Sequence, residues 1–219
     1  MDTVIPAISA GLVSSIICNP LDVLRINKQI NRPTQLNIRN SFKGLGVSML
    51  TIPAFWVIYF PLYKINKDKT GMRSSFNAYM SSCIASTVTT PLWVIKQKAQ
   101  TDKLHEMSKM TIPCFYSGLF PTYAINLSFA VQIPLYEYLK SVSPDNHTFT
   151  TFINAAISKT VATCIFYPLD TIRVTYRNGG LISQLRFLDF YRGINIYLMR
   201  SIPYHTSVFC TFEFVKNLM

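Results

Sequence analysis

The sequence predicts an all-α membrane protein, in which six transmembrane helices form three similar repeats around a central cavity. The chain has 219 residues, a mean hydropathy of +0.24 and 14% charged residues, whereas soluble domains carry about 25%. A Pro-Leu-x-x-x-base string also occurs three times, 71 and 77 residues apart, beginning at Pro20, Pro91 and Pro168. Because a long-period repeat organises a whole fold, we expect a single domain over residues 1–219. Its repeats are residues 1–70, 71–145 and 146–219.

The predicted spans are long stretches with at most one charged side chain. Each has roughly the 20 residues that a helix needs to cross a bilayer. The first four stretches contain no Asp, Glu, Lys or Arg, and the last two contain one cation each: Thr3–Leu21, Leu45–Tyr63, Ser74–Ile95, Met110–Tyr136, Asn146–Leu169 and Gly193–Phe212.

Polar side chains are frequent inside these stretches, among them Ser81, Thr90, Asn126 and Gln132. Polar groups are costly in hydrocarbon unless they face protein or a water-filled space. Two interpretations stay open: the polar side chains line a central aqueous cavity, or they let helices pack closely through small residues.

The positive charge is concentrated in three segments. The formal net charge is +11, and 13 of the 21 Lys and Arg residues lie in Arg25–Lys43, Lys96–Lys109 and Arg173–Arg192. These segments follow the first, third and fifth spans, so they share one side of the membrane. This asymmetry orients a membrane protein and suits anionic lipid, and it disfavours nucleic acid as a partner.

Cysteine and histidine give no sign of a metal site or of an enzyme. The five Cys residues show no CxxC spacing and the three His residues are dispersed, so packing thiols are expected rather than disulfides or metal ligands. No nucleophile–base pair is evident, and we expect no cofactor and no catalytic activity. The N-terminus lacks a basic region, and a cleavable secretory signal is not expected.

Each repeat continues in the same order after its proline string. A glycine follows the proline by 24, 27 and 25 residues, at Gly44, Gly118 and Gly193. An aromatic residue beside charged residues then closes the repeat after 19, 18 and 19 residues, at Tyr63, Tyr136 and Phe212. The constant order and spacing indicate true repetition.

These residues resemble the mitochondrial carrier family over essentially the whole chain. Its motif is Pro-x-[Asp/Glu]-x-x-[Lys/Arg], then aromatic-basic-Gly, then aromatic-[Asp/Glu]-x-x-[Lys/Arg], three times. The resemblance implies a six-helix bundle with threefold pseudosymmetry, a monomer, and contact with membrane lipid, cardiolipin being one candidate. It also implies the mitochondrial inner membrane as location, with a host or remnant organelle membrane as the alternative.

The family's matrix-side gate is a network of charges on the three odd-numbered helices. Carried over to this chain, the gate consists of Asp22, Arg25, Lys96, Asp170 and Arg173. The resemblance implies that Asp22 pairs with Lys96 and that Asp170 pairs with Arg25. Trp93 replaces the third acid. We therefore expect Arg173 to lack its carboxylate partner or to bond a carbonyl instead.

Family glutamines that brace this gate correspond to Gln29 and Gln100, nine residues after their prolines. Arg177 occupies the third such position.

The resemblance implies a second, cytoplasmic-side gate built from Lys67, Glu137, Lys140, Glu213 and Lys216. Glu137 would pair with Lys216. Glu213 would pair with Lys67. Lys64 stands where the remaining acid would be and would face Lys140 with like charge. The alternative for Lys64 and Lys67 is a basic cluster that reaches toward the membrane edge.

Two cations inside the spans are candidate substrate contacts. Arg200 is followed by Pro203, which resembles the family's Arg-x-x-Pro substrate contact, and an intramembrane cation is a functional candidate by default. Lys159 lies nine residues before Pro168, and Asn126 falls near the family's second contact point. The alternative for Arg200 is that it neutralises a charge within the bundle.

The resulting hypothesis is transport of a small anion, such as a nucleotide, phosphate or carboxylate, by alternating access between two salt-bridge gates. The second hypothesis is a degenerate carrier that binds or scaffolds without transport, because acids are missing at Trp93 and Lys64.

Overall fold

The computed structural model describes residues 4–33, 37–70, 74–143, 148–201 and 203–204. Within these ranges the chain is helical and contains no strand. The α-helices are α1 (Val4–Gln29), α2 (Ile38–Ser41), α3 (Leu45–Thr70), α4 (Ser74–Gln100), α5 (Leu119–Asn126), α6 (Ser128–Val142) and α7 (Thr148–Arg177). Short 3-10 helices cover Leu104–Lys109, Ile112–Tyr116, Ile182–Gln184 and Phe187–Tyr191. A C-terminal helical segment covers residues 194–201.

The three repeat prolines all lie inside long helices. Pro20 is in α1, Pro91 in α4 and Pro168 in α7, helices of 26, 27 and 30 residues. Proline removes one backbone donor and bends a helix, yet each helix continues for about nine residues beyond it. The acidic and basic residues of each string therefore remain on a helix, where positions three apart share a face.

The helices are neighbours in chain order. Helix α3 packs along both α1 and α4, α4 contacts α5 and α6, and these two pack along α7. Helix α7 in turn contacts α1. The described helices therefore form a closed circuit, with the proline-containing helices in mutual contact.

Several serine and threonine residues of α4 are buried inside the bundle. Ser81, Ser82, Ser86, Thr89 and Thr90 are all buried. The hydroxyls of Thr89 and Thr90 donate to carbonyls of Ala85 and Ser86, one turn earlier. For Thr89 and Thr90 these contacts favour the close-packing interpretation, because their hydroxyls are satisfied within their own helix.

By length and hydropathy alone, one helix in the described ranges is apolar enough to cross a membrane, at Leu45–Asn66. The six predicted spans exceed what this criterion supports, and they remain a proposal. The Ser and Thr residues of α4 show the physical reason, since polar inward faces lower a helix's average hydropathy.

The fourth predicted span, Met110–Tyr136, differs from the structure. Helix α5 begins only at Leu119, after Gly118 in a left-handed conformation with φ of 75°. The helix is then interrupted at Leu127 before α6 begins. The segment before Gly118 forms 3-10 turns instead of a membrane-length helix.

Candidate functional site

Two buried carboxylates lie where the proline-containing helices meet. Asp22 Oδ2 lies 3.4 Å from Lys96 Nζ, and Asp170 forms an ion pair with Arg25. Both pairs were expected from the sequence, and both are present. We call Asp22, Arg25, Lys96, Asp170 and Arg173 the matrix-side network, after the side of the membrane that the resemblance implies. Its role as a gate is a separate matter and remains a proposal.

Arg173 does have a carboxylate partner, contrary to the expectation. It forms an ion pair with Asp170 on its own helix, because residues three apart on α7 share a face. Asp170 thus serves two guanidinium groups, those of Arg25 and Arg173. Gln29 Nε2 also donates to Asp170 Oδ2 at 3.0 Å, so this carboxylate is fully engaged.

The residues at the three bracing positions, Gln29, Gln100 and Arg177, have different hydrogen-bond partners. Gln29 is buried beside Asp170 and also contacts the Tyr167 hydroxyl at 3.2 Å. Gln100 Nε2 donates to Asn19 Oδ1 at 3.4 Å, and this amide lies near the Asp22 end of the network. Arg177 instead donates to Thr122 Oγ1 at 3.3 Å.

Arg200 lies within contact distance of the matrix-side network. Its Nη1 atom is 2.9 Å from Asp22 Oδ1, so Asp22 holds Lys96 through one oxygen and Arg200 through the other. This is the arrangement in which Arg200 neutralises a charge within the bundle. It does not preclude a substrate contact, because Arg200 also borders the central cavity.

Tyr197 is a site residue that sequence reasoning missed. The Arg25 guanidinium lies 4.3 Å from the centroid of its ring, a cation–π distance, and Arg200 lies 5.8 Å from it. The available signal was its spacing, since Tyr197 precedes Arg200 by three residues and shares its helix face.

The central cavity has a volume of about 260 Å³ and opens among these side chains. Its charged lining contains one acid and five cations: Asp22, Arg25, Lys96, Arg173, Arg177 and Arg200. Aromatic side chains also line the walls, among them Trp56, Trp93 and Tyr197. Such a lining favours anions. No group of three or more metal-ligating side chains occurs in the part of the chain that the structure describes.

Lys159 borders two smaller cavities, of about 180 and 70 Å³. Arg200 lines the first and Arg173 the second, so both adjoin residues of the central cavity. Lys159 Nζ lies 3.5 Å from Gln132 Oε1. The structure therefore places Lys159 near Arg200, at the wall of one cavity.

Asn126 lies elsewhere. Its Nδ2 atom donates to Ser86 Oγ at 3.1 Å, in a buried contact between α5 and α4. Because this amide joins two helices, the structure gives no support to its predicted contact with substrate.

The charged residues of the predicted cytoplasmic-side gate lie only partly within the described residues. Glu213, Lys216 and the side chain of Lys67 lie outside the described residues. Glu137 and Lys140 are exposed on α6. The predicted cytoplasmic-side pairs therefore remain predictions.

Known proteins with similar sequences are carriers. The chain is 26% identical over 229 residues to human "Solute carrier family 25 member 33", covering 83% of this chain and 71% of the relative. It is 25% identical over 279 residues to "Nicotinamide adenine dinucleotide transporter 1, chloroplastic" of Arabidopsis thaliana, covering 96% and 89%. An uncharacterized mitochondrial carrier of Schizosaccharomyces pombe is 25% identical over 273 residues, covering 97% and 95%. No family model matches the chain.

The helical fold and the cation-rich cavity agree with these relatives, which are solute carriers, and the relatives support metabolite transport as the general class of activity. The relatives confirm the resemblance that the three repeats indicate, since over most of the chain it is similar to proteins named solute carrier family 25 and mitochondrial carrier. Proteins of this family reside in the mitochondrial inner membrane.

Proposed function

We propose that this chain transports a small anionic solute, a nucleotide, phosphate or carboxylate, through the central cavity. The observation that carries the proposal is the charge of the lining, five cations against one carboxylate. Lys159 in the adjoining cavities adds a further cation. Guanidinium groups bind carboxylate and phosphate in a bidentate manner, so an anion would offset this buried positive charge.

The proposed architecture is one domain of six spans in three repeats. Three proline-containing helices, a glycine at a similar distance after each proline, and the contact between α7 and α1 support it. A monomer surrounded by lipid is part of the same proposal, and the contacts between neighbouring helices around the circuit support it.

The matrix-side network is proposed to be one gate of an alternating-access cycle. Its two carboxylates are buried and hold the three proline-containing helices together. Buried ion pairs are strong when intact but must offset a desolvation penalty of similar size. Such contacts can therefore open when substrate binding favours another state. The counterpart gate would comprise Lys67, Glu137, Lys140, Glu213 and Lys216.

A nucleotide is one of the candidate substrates, and the Arabidopsis relative is named as a transporter of nicotinamide adenine dinucleotide. Aromatic rings of Trp56 and Trp93 line the same cavity as the cations, and such rings can stack on a base. These walls are compatible with a ligand that is both aromatic and anionic.

A binding or scaffold protein without transport is the second candidate. Trp93 favours it, because a gate with two carboxylates instead of three closes less firmly.

The test is uptake by proteoliposomes that contain the purified full-length chain. Labelled nucleotides, phosphate and dicarboxylates are supplied outside, with matching unlabelled solutes inside. Saturable uptake of an anion supports transport. Saturable binding without accumulation inside the vesicles supports the second candidate.

A further inference from the structure

We propose that a phosphate group binds at the third position of the matrix-side network, between Trp93 on α4 and the pair Arg173 and Arg177 on α7. The bound phosphate takes the place of the carboxylate that this position lacks. This inference rests on the proposed function, because it names the chemical group that occupies part of the same cavity.

The three repeats set up three equivalent positions, each with a base five residues after its proline. At the first, Arg25 meets Asp170. At the second, Lys96 meets Asp22. At the third, Arg173 would meet residue 93, which is Trp93 and carries no charge.

The bracing residue changes at the same position. Gln29 and Gln100 support the first two positions with neutral amides, whereas the third has the cation Arg177. A carboxylate is therefore missing where an additional guanidinium is present. Both departures raise the local positive charge, and a single bound anion would offset both.

Arg177 is deeply buried for a cation, with 4% of its surface exposed. Its hydrogen bond in the described ranges goes to the neutral hydroxyl of Thr122, and its Nε atom has no partner there. Arg173 Nε is also without a partner in that part of the chain. Arg173 shares the Asp170 carboxylate with Arg25, whereas the described contact of Arg177 is neutral, and a buried guanidinium without an anion is unfavourable. Donors on both side chains therefore remain that a ligand can satisfy.

The two arginines lie side by side and are accessible from the cavity. A Cβ atom on Gly118 would lie 3.3 Å from Arg173 Cγ and 3.4 Å from Arg177 Cγ. The aliphatic parts of both arginine side chains therefore pack beside this glycine. Trp93, Arg173 and Arg177 all line the 260 Å³ cavity. Two adjacent guanidinium groups present N–H donors in an arrangement that matches the oxygens of a phosphate group.

Phosphate could come from two sources, the transported solute or free inorganic phosphate. The shared chemistry is a tetrahedral oxyanion held by two guanidinium groups. In either case the ligand completes the network when the cavity is occupied and leaves its third position open when the cavity is empty.

The test is thermal unfolding of the purified full-length chain in detergent, with inorganic phosphate or with sodium chloride at equal ionic strength. At a phosphate concentration on the order of 100 times Kd, the midpoint should rise by about 5 °C. A parallel arm compares a nucleoside diphosphate with the nucleoside that lacks phosphate. A shift with inorganic phosphate identifies a site for the free ion, and a shift confined to the diphosphate identifies the solute's own phosphate.

Two variants make the test specific. Arg177→Gln restores the residue of the other two repeats and should abolish the shift. Trp93→Asp supplies the missing carboxylate, so it should abolish the shift while the phosphate-free midpoint stays equal or rises. Lys103→Gln is the matched control in the connector, where Lys103 lies near Glu106, and it should keep the shift.

The site and the transport function fail in different ways. A shift that persists in both Arg177→Gln and Trp93→Asp, or no shift with either ligand in the unaltered chain, overturns the site whatever the uptake assay shows. An Arg177-dependent shift in a chain that accumulates no anion leaves the site standing and overturns transport.

Discussion

Arg200 Nη1 lies 2.9 Å from Asp22 Oδ1, so the candidate substrate cation holds one of the two buried carboxylates of the matrix-side network. The other oxygen of Asp22 is 3.4 Å from Lys96. An anion that binds Arg200 would compete with Asp22 for the same guanidinium. Substrate binding and the strength of the proposed gate would then be linked through one carboxylate.

Asp22→Asn should lower both stability and uptake. The change leaves Lys96 and Arg200 without their shared carboxylate, and breaking a buried pair costs about 3 kcal/mol or more. Thermal unfolding in detergent measures the loss. Asp102→Asn is the control, since Asp102 pairs with Lys43 at a surface where 67% of its side chain is exposed. Such a pair contributes at most about 1 kcal/mol, and equal losses in the two variants would contradict the account.

Arg200→Gln should reduce anion uptake by about tenfold or more, because a charge-assisted hydrogen bond contributes roughly 1.5–3 kcal/mol. Arg200→Lys keeps the charge but loses the planar fork, and an intermediate rate is expected. Initial rates in proteoliposomes provide the measurement. Arg192→Gln, in the connector beside Asp189, serves as control and should transport normally.

Gly118→Ala should destabilise the protein by about 1–2 kcal/mol. Gly118 has a φ of 75°, where a Cβ atom is strained, and that atom would lie 3.2 Å from the Arg173 carbonyl oxygen. Gly46→Ala is the comparison, since in the described residues no atom beyond its own stretch of helix lies within 4 Å of the added Cβ. Midpoints of thermal unfolding should fall for the first variant only, and a fall of equal size at Gly46 would argue against this explanation.

Contacts of Glu106 in the connector after α4 should make the stability of the protein fall at acidic pH. The hydrogen bond from Lys98 to Glu106, at 2.5 Å, and the nearby charge of Lys103 lower the pKa of the Glu106 carboxyl. Its stabilising contribution is therefore complete above the ordinary glutamate pKa and is lost as the pH falls through the lowered value.

Unfolding midpoints measured from neutral pH down to about pH 3 test this dependence. Glu106→Gln should reduce the fall of the unfolding midpoint at acidic pH. If the midpoint of Glu106→Gln falls at acidic pH as much as that of the unaltered chain, other groups cause the fall.

The charged pairs of the matrix-side network could be predicted because their partners have fixed helical spacing after each proline. That spacing places the charges on one helix face, and the resemblance to the carrier family implies the pairing of Asp22 with Lys96 and of Asp170 with Arg25. The pairing of Arg173 with Asp170 follows from the same three-residue spacing within α7, and the expectation overlooked it because it considered only partners on other helices.

The remaining features depend on tertiary placement. The depth of Arg200 relative to Asp22 is set by how the C-terminal helical segment lies against α1, which no local spacing determines. The contact of Asn126 with Ser86 could not be predicted for the same reason, since it depends on how α5 packs against α4. The interruption at Leu127 also carries no glycine or proline signal next to it.

Uptake of labelled anions by proteoliposomes, compared for the unaltered chain, Arg200→Gln and Arg192→Gln, tests the central claim most directly. The account predicts saturable uptake of at least one nucleotide, phosphate or carboxylate, lost by about tenfold or more in Arg200→Gln and kept in Arg192→Gln. Saturable uptake of cations in place of anions, or anion uptake that Arg200→Gln leaves unchanged, would contradict it.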